Sequence, residues 1–144
     1  MTGRPRAISS AELALDEFYA ALADDDASKL YEQAPCGYLS TTPDGVITKV
    51  NRTFLTLTGY ERAELVGVRT FAQLLTAGGR IYHETHYAPM LRMQGAAREI
   101  ALDIVRADGS RLPALVNSVL DRTPYGTPVV VRTSVFDAAE RRVY

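Results

Sequence analysis

The sequence lacks several features that define large classes of proteins. It contains one cysteine, Cys36, so no intramolecular disulfide can form and a secreted disulfide framework is excluded. No apolar run approaches the roughly 20 residues that cross a bilayer. The 16 basic and 17 acidic residues leave a net charge of -1, and the arginines are scattered. We therefore expect no membrane-spanning segment and no nucleic-acid-binding surface.

The chain also lacks a signal peptide pattern. Residues 1–6 are basic, but no apolar core follows them. The expected location is therefore the cytoplasm, and a membrane-bound parent protein is left open if the chain is a piece of a longer one. A length of 144 residues with 47% hydrophobic residues suits one domain with a real core and a short flanking element.

An amphipathic helix is predicted near the N-terminus, from Ser9 or Ser10 to about Ala23. Ser9 and Glu12 form a Ser-x-x-Glu capping box. Apolar residues then follow at steps of four, three and four, which places them on one helix face. Such a stripe has more apolar surface than a solvated flank needs, so we predict that it forms a dimer interface. The stripe consists of Ala11, Leu15, Phe18 and Leu22.

The rest of the chain reads as two strands, several short helices and then three strands. Pro43-Asp44-Gly45 is strong turn chemistry and makes a hairpin of the first two strands. Asn51 is a good N-cap for the first short helix, and Gly59 suits its C-terminal end. A longer helical stretch follows Gly78-Gly79 and ends near Gly95. Pro89 lies inside it and should kink it or start a new turn.

The last two strands are apolar on both faces. Val116 and Ser118 point one way, whereas Leu115 and Val119 point the other way. In an antiparallel sheet with one solvent-exposed face, apolar and polar residues should alternate more strictly along each strand. Something therefore covers the second face, and the N-terminal stripe is the candidate, from this chain or from a partner subunit.

This order of elements resembles the PAS fold, and several local motifs resemble the PAS signature in order and spacing. The motifs are Pro43-Asp44-Gly45, Asn51-Arg52-Thr53-Phe54, Thr58-Gly59-Tyr60, Glu64-Leu65-Val66-Gly67 and Ala107-Asp108-Gly109-Ser110. The stretch Thr76 to Tyr87 is similar to a bacterial sensory-box subgroup linked to serine phosphatases, histidine kinases and cyclic-dinucleotide enzymes. The resemblance implies an α+β fold with a five-stranded antiparallel sheet, short helices on one face and an N-terminal flanking helix.

The resemblance also implies a domain organisation and a signal relay. Asp137 matches the aspartate that ends the family's last strand, and Arg141 matches the arginine that follows it, so both are predicted to relay the signal. An output domain such as a phosphatase, a histidine kinase or a diguanylate cyclase is expected outside this chain. The predicted segments are a flexible tail, an amphipathic helix, a PAS sensor domain and the start of a signalling linker, at 1–8, 9–26, 27–137 and 138–144.

The two histidines, His83 and His86, lie on the predicted long helix. In haem-binding PAS domains a histidine of the corresponding helix ligates the iron, so the resemblance allows a haem sensor that uses His83 or His86. The alternative is a structural role, in which each imidazole contacts a tyrosine four residues away. A zinc protease is excluded because its two histidines must be four residues apart, and no other metal site is predicted.

A ligand pocket between this helix and the concave sheet is implied by the resemblance. Apolar walls with a few polar groups suit a small organic ligand. Alternation places Asn117 on the opposite face. The simpler alternative is that the same side chains fill the core. The pocket candidates are Tyr82, His83, His86, Tyr87, Met90, Leu102, Val116, Ser118 and Thr133.

The cysteine position bears on the light-sensing members of the family, which carry a cysteine on a central helix beside flavin. The comparable stretch here, Val68 to Phe71, has no cysteine, and Cys36 precedes the first strand. A flavin photoadduct is therefore disfavoured, and Cys36 is expected to pack as a small apolar residue.

Three hypotheses for function remain open at this point. The first is a regulatory module that senses a small molecule or a partner, acts as a homodimer and has no catalytic residues. The second is the haem sensor, and the third is a structural interaction domain with a filled core and no ligand. An enzyme is not expected, because no paired acid and base and no nucleophile motif emerge from the sequence.

Overall fold

Five strands form one antiparallel sheet in the part of the chain that the computed structural model describes, which is residue 7 and residues 9–23 and 26–139. Their order across the sheet is β2-β1-β5-β4-β3, so the first and last strands of the chain pair in its middle. This confirms the predicted α+β class and the predicted PAS order of elements. The strands are β1 (Gly37–Thr41), β2 (Ile47–Val50), β3 (Ala96–Val105), β4 (Arg111–Arg122) and β5 (Pro128–Asp137).

Short helices connect the second strand to the third, and two helices precede the sheet. Local capping sets several of their ends: Asn51 Oδ1 accepts the Phe54 N–H at the start of α3, and Gly59 ends that helix with a φ of 78°. A 3₁₀ turn spans Ala72–Leu74. The helices are α1 (Ser10–Ala23), α2 (Ala27–Glu32), α3 (Arg52–Thr58), α4 (Arg62–Leu65), α5 (Ala77–Tyr82) and α6 (Ala88–Gln94).

One hydrophobic core lies between the inner face of the sheet and the short helices. Phe54 of α3, Leu65 of α4 and Leu74 of the 3₁₀ turn are fully buried there. The inward residues of the strands complete it, and they include Leu39, Ile47, Ala97, Ile104, Leu112, Val116 and Val135. Burial of this apolar surface is the main term that holds the helices on the sheet.

Gly37 lets α3 approach β1 closely. A methyl group at this position would lie 3.0 Å from Cδ2 and 3.2 Å from Cα of Phe54. Any larger residue would therefore push α3 away from the sheet.

β3 begins earlier than the sequence pattern indicates. Alternation predicts a strand from Glu99, whereas the strand starts at Ala96 and is irregular between Ala97 and Ile100. Glu99 has a φ of 54° in this bulge, and its N–H donates to Asn117 Oδ1 at 2.8 Å. The bulge interrupts the period of two, which is why the first residues of the strand escape a pattern search.

The predicted dimerisation helix is present as α1, but it does not bury its stripe within the chain. Leu15 is 51% exposed and Phe18 is 58% exposed, and Ala11 is exposed as well. The side chain of Leu22 lies outside the described residues, as do the predicted tail apart from residue 7 and the predicted linker after Ala139. Across the described ranges, no helix has the length and the apolar character needed to cross a bilayer.

Candidate functional site

A cavity of about 350 Å³ lies between the helices and the inner face of the central strands. Its mouth is at one end of the sheet, between the β1–β2 turn, α6 and the start of β5, where its wall residues are exposed. This volume is at the small end of the range for small-molecule pockets. The wall consists of Thr41, Pro43, Asp44, Gly45, Phe71, His83, Tyr87, Ala88, Leu91, Arg92, Ser118, Leu120, Pro128, Val131 and Thr133.

Three buried hydroxyl groups meet at the wall of this cavity, and we refer to Tyr87, Ser118 and Thr133 as the hydroxyl chain. Tyr87 Oη and Ser118 Oγ share a short hydrogen bond, and Ser118 Oγ lies 2.7 Å from Thr133 Oγ1. Ser118 and Thr133 are directly paired across β4 and β5. Burial raises the pKa of Tyr87 to about 12, and its bond to Ser118 opposes only part of that rise. The phenol therefore keeps its proton at physiological pH.

A π-helical turn places Tyr87 in this position. Residues His83–Tyr87 form the turn between α5 and α6, and the Ala88 N–H donates to the carbonyl of His83, five residues back. Pro89 has no N–H, so it cannot donate to the carbonyl of Thr85 as an α-helix requires. The wider turn lies where this bonding is interrupted, which is common at functional sites. It buries Tyr87 and leaves His86 exposed.

His83 is the histidine that lines the cavity. Its ring stacks on Tyr87 at 5.0 Å between centroids and meets the edge of Phe71 at 6.0 Å. Burial lowers the pKa of His83, because the cavity wall solvates the imidazolium poorly. The neutral imidazole is therefore the form that the folded protein prefers at neutral pH.

This preference predicts a pH dependence of stability. Because the pKa of His83 is lower in the folded state than its ordinary value of about 6.5, the unfolded chain takes up the proton first. The contribution of His83 is present above about pH 6.5 and is lost as the pH falls toward the folded pKa. We expect His83→Phe, which keeps a stacked ring, to flatten the wild-type loss of stability in urea denaturation between about pH 7 and pH 5.

The matched control for this prediction is His86→Gln. That imidazole is exposed and lies outside the cavity wall, so the wild-type slope should persist in this variant. An unchanged slope in His83→Phe would contradict the assigned role of His83.

The nine sequence-predicted pocket residues fall into two groups. Four of them lie together at the cavity wall, namely His83, Tyr87, Ser118 and Thr133. The other five lie outside it: Leu102 and Val116 are buried in the core, Tyr82 and Met90 pack against the core, and exposed His86 stacks on Tyr82 at 5.0 Å.

Most of the remaining wall was missed by the sequence patterns. Thr41, Leu120 and Val131 are brought together by strand pairing, since Val131 is opposite Thr41 on one side and Leu120 on the other. Two turn sequences lie near the mouth, Pro43-Asp44-Gly45 and the stretch 124–128 with its two prolines and a glycine, but no local pattern places them side by side.

The outer face of the sheet carries a shallow apolar groove behind the hydroxyl chain. Tyr38 and Val119 are exposed on strands there, and Arg132 forms a 2.6 Å ion pair with Asp121. The groove is lined by Tyr31, Tyr38, Leu39, Ser40, Asn117, Val119, Arg132, Thr133 and Ser134. Asn117 therefore lies on the outer face of the sheet, as alternation predicted.

Asp137, one of the two predicted relay residues, lies at the end of β5. Asp137 Oδ1 accepts the N–H of Ala139 at 2.9 Å, and the Ala138 N–H donates to the carbonyl of Pro113 on β4. The chain leaving the sheet is thus tied to the strand that carries Ser118. Arg141 lies outside the described residues.

The part of the chain that the structure describes contains no group of three or more His, Cys, Asp or Glu side chains that could hold a metal ion. Cys36 is buried ahead of β1 and away from the cavity wall. The hydroxyls and the neutral imidazole of the cavity are suited to hydrogen bonding with a small molecule.

An antiparallel sheet and short helices that enclose a ligand-sized cavity define a sensor type of α+β domain. The chain belongs to the PAS domain family, whose model matches residues 35–139. PAS domains are generally sensory, non-catalytic modules of signalling proteins, and they generally dimerise and connect to output domains.

Comparison with a curated relative agrees with this assignment. The chain is 28% identical over 91 residues to the phosphoserine phosphatase RsbP of Bacillus subtilis. The match covers 63% of this chain but only 22% of that phosphatase, so it concerns a small part of the relative.

Solved structures confirm the fold. A PAS domain from Colwellia psychrerythraea superimposes with a TM-score of 0.72 at 17% identity, over 86% of this chain and 99% of that one. The PAS domain of an HTR-like protein from Haloarcula marismortui gives 0.59 at 21%, over 88% and 97%. An RNA-binding light-oxygen-voltage receptor gives 0.65 at 23%, over 99% of this chain and 38% of the receptor.

Proposed function

We propose that this chain is a regulatory sensor and dimerisation module that binds a small molecule in the cavity and passes the signal to an output domain outside the chain. The observation that carries the proposal is the cavity of about 350 Å³, which has apolar walls and a buried polar end. A filled core, as in a purely structural domain, would leave no such space. We place its site of action in the cytoplasm.

The relay that we propose runs through the sheet. Thr133 lines both the cavity and the outer groove, so one strand thickness separates a bound molecule from that groove. A ligand that moves Thr133 would shift Arg132 and Ser134 beside it, and with them whatever lies on the outer face. Asp137 and Arg141 would carry the change along the chain.

The domain boundaries and the output partner are parts of the same proposal. The sensor would span 27–137, flanked by the helical segment 9–26, with a tail at 1–8 and the start of a linker at 138–144. The similarity to part of a phosphatase supports a phosphatase as the output domain, and a histidine kinase or a cyclic-dinucleotide enzyme would use the same connection. We propose no catalytic role for the chain itself.

The haem alternative fits the residues poorly. His83 is the histidine at the cavity wall, and its ring already stacks on Tyr87. A macrocycle would have to displace that stack and enlarge a cavity of about 350 Å³. A Soret band after addition of hemin would support haem binding over the proposal.

A cavity-filling variant tests the proposal. The 144-residue chain is screened by thermal denaturation against a fragment library of neutral, anionic and cationic small molecules. Fragments that bind the folded state raise its melting temperature. We expect Ala88→Leu, which fills the cavity from α6, to abolish the shifts that wild type shows.

The control is Ala77→Leu, the same change at an exposed residue of α5, which should keep every shift. If no fragment distinguishes the two variants, the cavity is not a ligand site and the structural interaction domain becomes the better account.

A further inference from the structure

The hydroxyl chain carries one proton more than its internal hydrogen bonds require. Each hydroxyl has one proton to donate, and the two hydrogen bonds among Tyr87, Ser118 and Thr133 consume two of the three. The third proton lies on Tyr87 or on Thr133 when Ser118 donates one of the two bonds, and on Ser118 when Ser118 accepts both. Among the described residues, none of the three hydroxyls has a further hydrogen-bond partner. The cavity therefore presents a spare donor at a buried position.

The surroundings of that donor are uncharged. His83 favours its neutral form, and the ionisable side chains at the wall, Asp44 and Arg92, are exposed at the mouth. The remaining inner wall is uncharged and consists of the apolar residues Phe71, Ala88, Leu91, Leu120 and Val131 and the buried hydroxyl residue Thr41. An ion placed at the hydroxyl chain would lose its hydration without gaining an opposite charge, which is strongly unfavourable.

Resting on the proposed sensor function, we propose that the cavity binds an uncharged molecule of the ketone, aldehyde or ester class. Its carbonyl oxygen accepts the spare proton of the hydroxyl chain, and its apolar body packs on Phe71, Leu91 and Val131. A carbonyl suits this position because it accepts a hydrogen bond and brings no proton of its own that would need a second partner. A carboxylate or an ammonium group is excluded by the desolvation cost.

Three matched probes test this inference: 4-phenylbutan-2-one, its hydrocarbon isostere 2-methyl-4-phenylbut-1-ene, and 3-phenylpropanoate. They have the same number of non-hydrogen atoms and differ at the polar end. Binding to the 144-residue chain is followed by amide chemical shifts of Leu91, Leu120 and Val131 in NMR titrations. We expect the ketone to bind about fivefold to tenfold more tightly than the alkene, the effect of one neutral hydrogen bond. We expect the carboxylate to bind at least about tenfold more weakly than the ketone.

The decisive variant removes the whole hydroxyl chain at once. Variants that remove only one or two of the three hydroxyl groups are uninformative. The hydroxyls that remain hydrogen-bond only to one another, so at least one proton is still unused. In Tyr87→Phe/Ser118→Ala/Thr133→Val, the preference for the ketone should vanish while alkene affinity is kept or improved. Replacing hydrogen-bonding partners together by apolar groups of similar shape has little effect on stability. The control Tyr31→Phe/Ser40→Ala/Thr48→Val removes the same groups away from the cavity wall and should keep the preference.

The outcomes separate this inference from the proposed function. Equal binding of ketone and alkene at the cavity would overturn the carbonyl assignment and leave the sensor proposal standing. Tightest binding of the carboxylate would do the same. If none of the probes shifts the cavity amides up to its solubility limit, the carbonyl assignment is overturned, and the fragment screen with Ala88→Leu and Ala77→Leu decides the sensor proposal by itself.

Discussion

Asn51→Ala is expected to lower the free energy of unfolding by about 3 kcal/mol, because four hydrogen bonds of a buried amide are lost together. Asn51 Oδ1 accepts the N–H groups of Tyr38 and Phe54, each at 2.9 Å. Asn51 Nδ2 donates to the carbonyls of Tyr31 at 2.7 Å and Cys36 at 3.1 Å. The amide thus uses its full bonding capacity and joins α2, β1 and α3.

Alanine would leave two N–H groups and two carbonyls to find new partners in a region that is largely dry. A buried polar group without a partner costs about 1–3 kcal/mol, and partial access of water at Tyr31 and Tyr38 reduces the total. Asn117→Ala is the matched control, since Asn117 makes a single bond to the exposed bulge at Glu99 and should cost about 1 kcal/mol. Both values follow from urea denaturation midpoints. Equal losses in the two variants would mean that the network around Asn51 adds nothing beyond one hydrogen bond.

Leu15→Glu/Phe18→Glu is expected to raise the dissociation constant of a homodimer about 100-fold or more. Both side chains are little more than half exposed on α1, so burial at an interface contributes about 0.8–1.5 kcal/mol for each. A homodimer contains four of them, which together correspond to at least about 3 kcal/mol, or two decades in affinity. Sedimentation equilibrium of wild type and variant over a range of concentrations gives the two constants.

Met93→Glu controls for the added charge, because Met93 is 85% exposed on α6 and lies outside the stripe. Its dissociation constant should match wild type, and circular dichroism should show the same fold in all three proteins. A wild-type chain that stays monomeric at every concentration would refute the dimer prediction. Unchanged association of the double variant would place the interface on another surface.

Part of the candidate site follows from strand alternation. Because side chains alternate with a strict period of two, assigning Val116 to the inner face assigns Ser118 to it and Asn117 to the outer face. The structure agrees at all three positions. The same rule cannot say how far along the strand a cavity lies, and Val116 turned out to be core whereas Ser118 reaches the open space.

The helix side of the site was less accessible to pattern reasoning. An α-helical period places Tyr82 and His86 on one face and His83 and Tyr87 on the next, without saying which face is inward. The π-helical turn shifts the register by one residue at this point, and Pro89 is the local reason for it. Only packing against β4 decides that Tyr87 points inward, because its hydroxyl forms a hydrogen bond with Ser118 on that strand.

Turn positions and helix ends were readable from residue types alone, because they depend on interactions within a few residues. Pro43-Asp44-Gly45 forms a turn in any structural context. Asn51 caps α3 through a hydrogen bond to a residue three positions away. The other three bonds of Asn51, the cavity mouth and the spare proton of the hydroxyl chain arise between segments distant in the chain. Their geometry depends on how the whole core packs, and no local propensity contains that information.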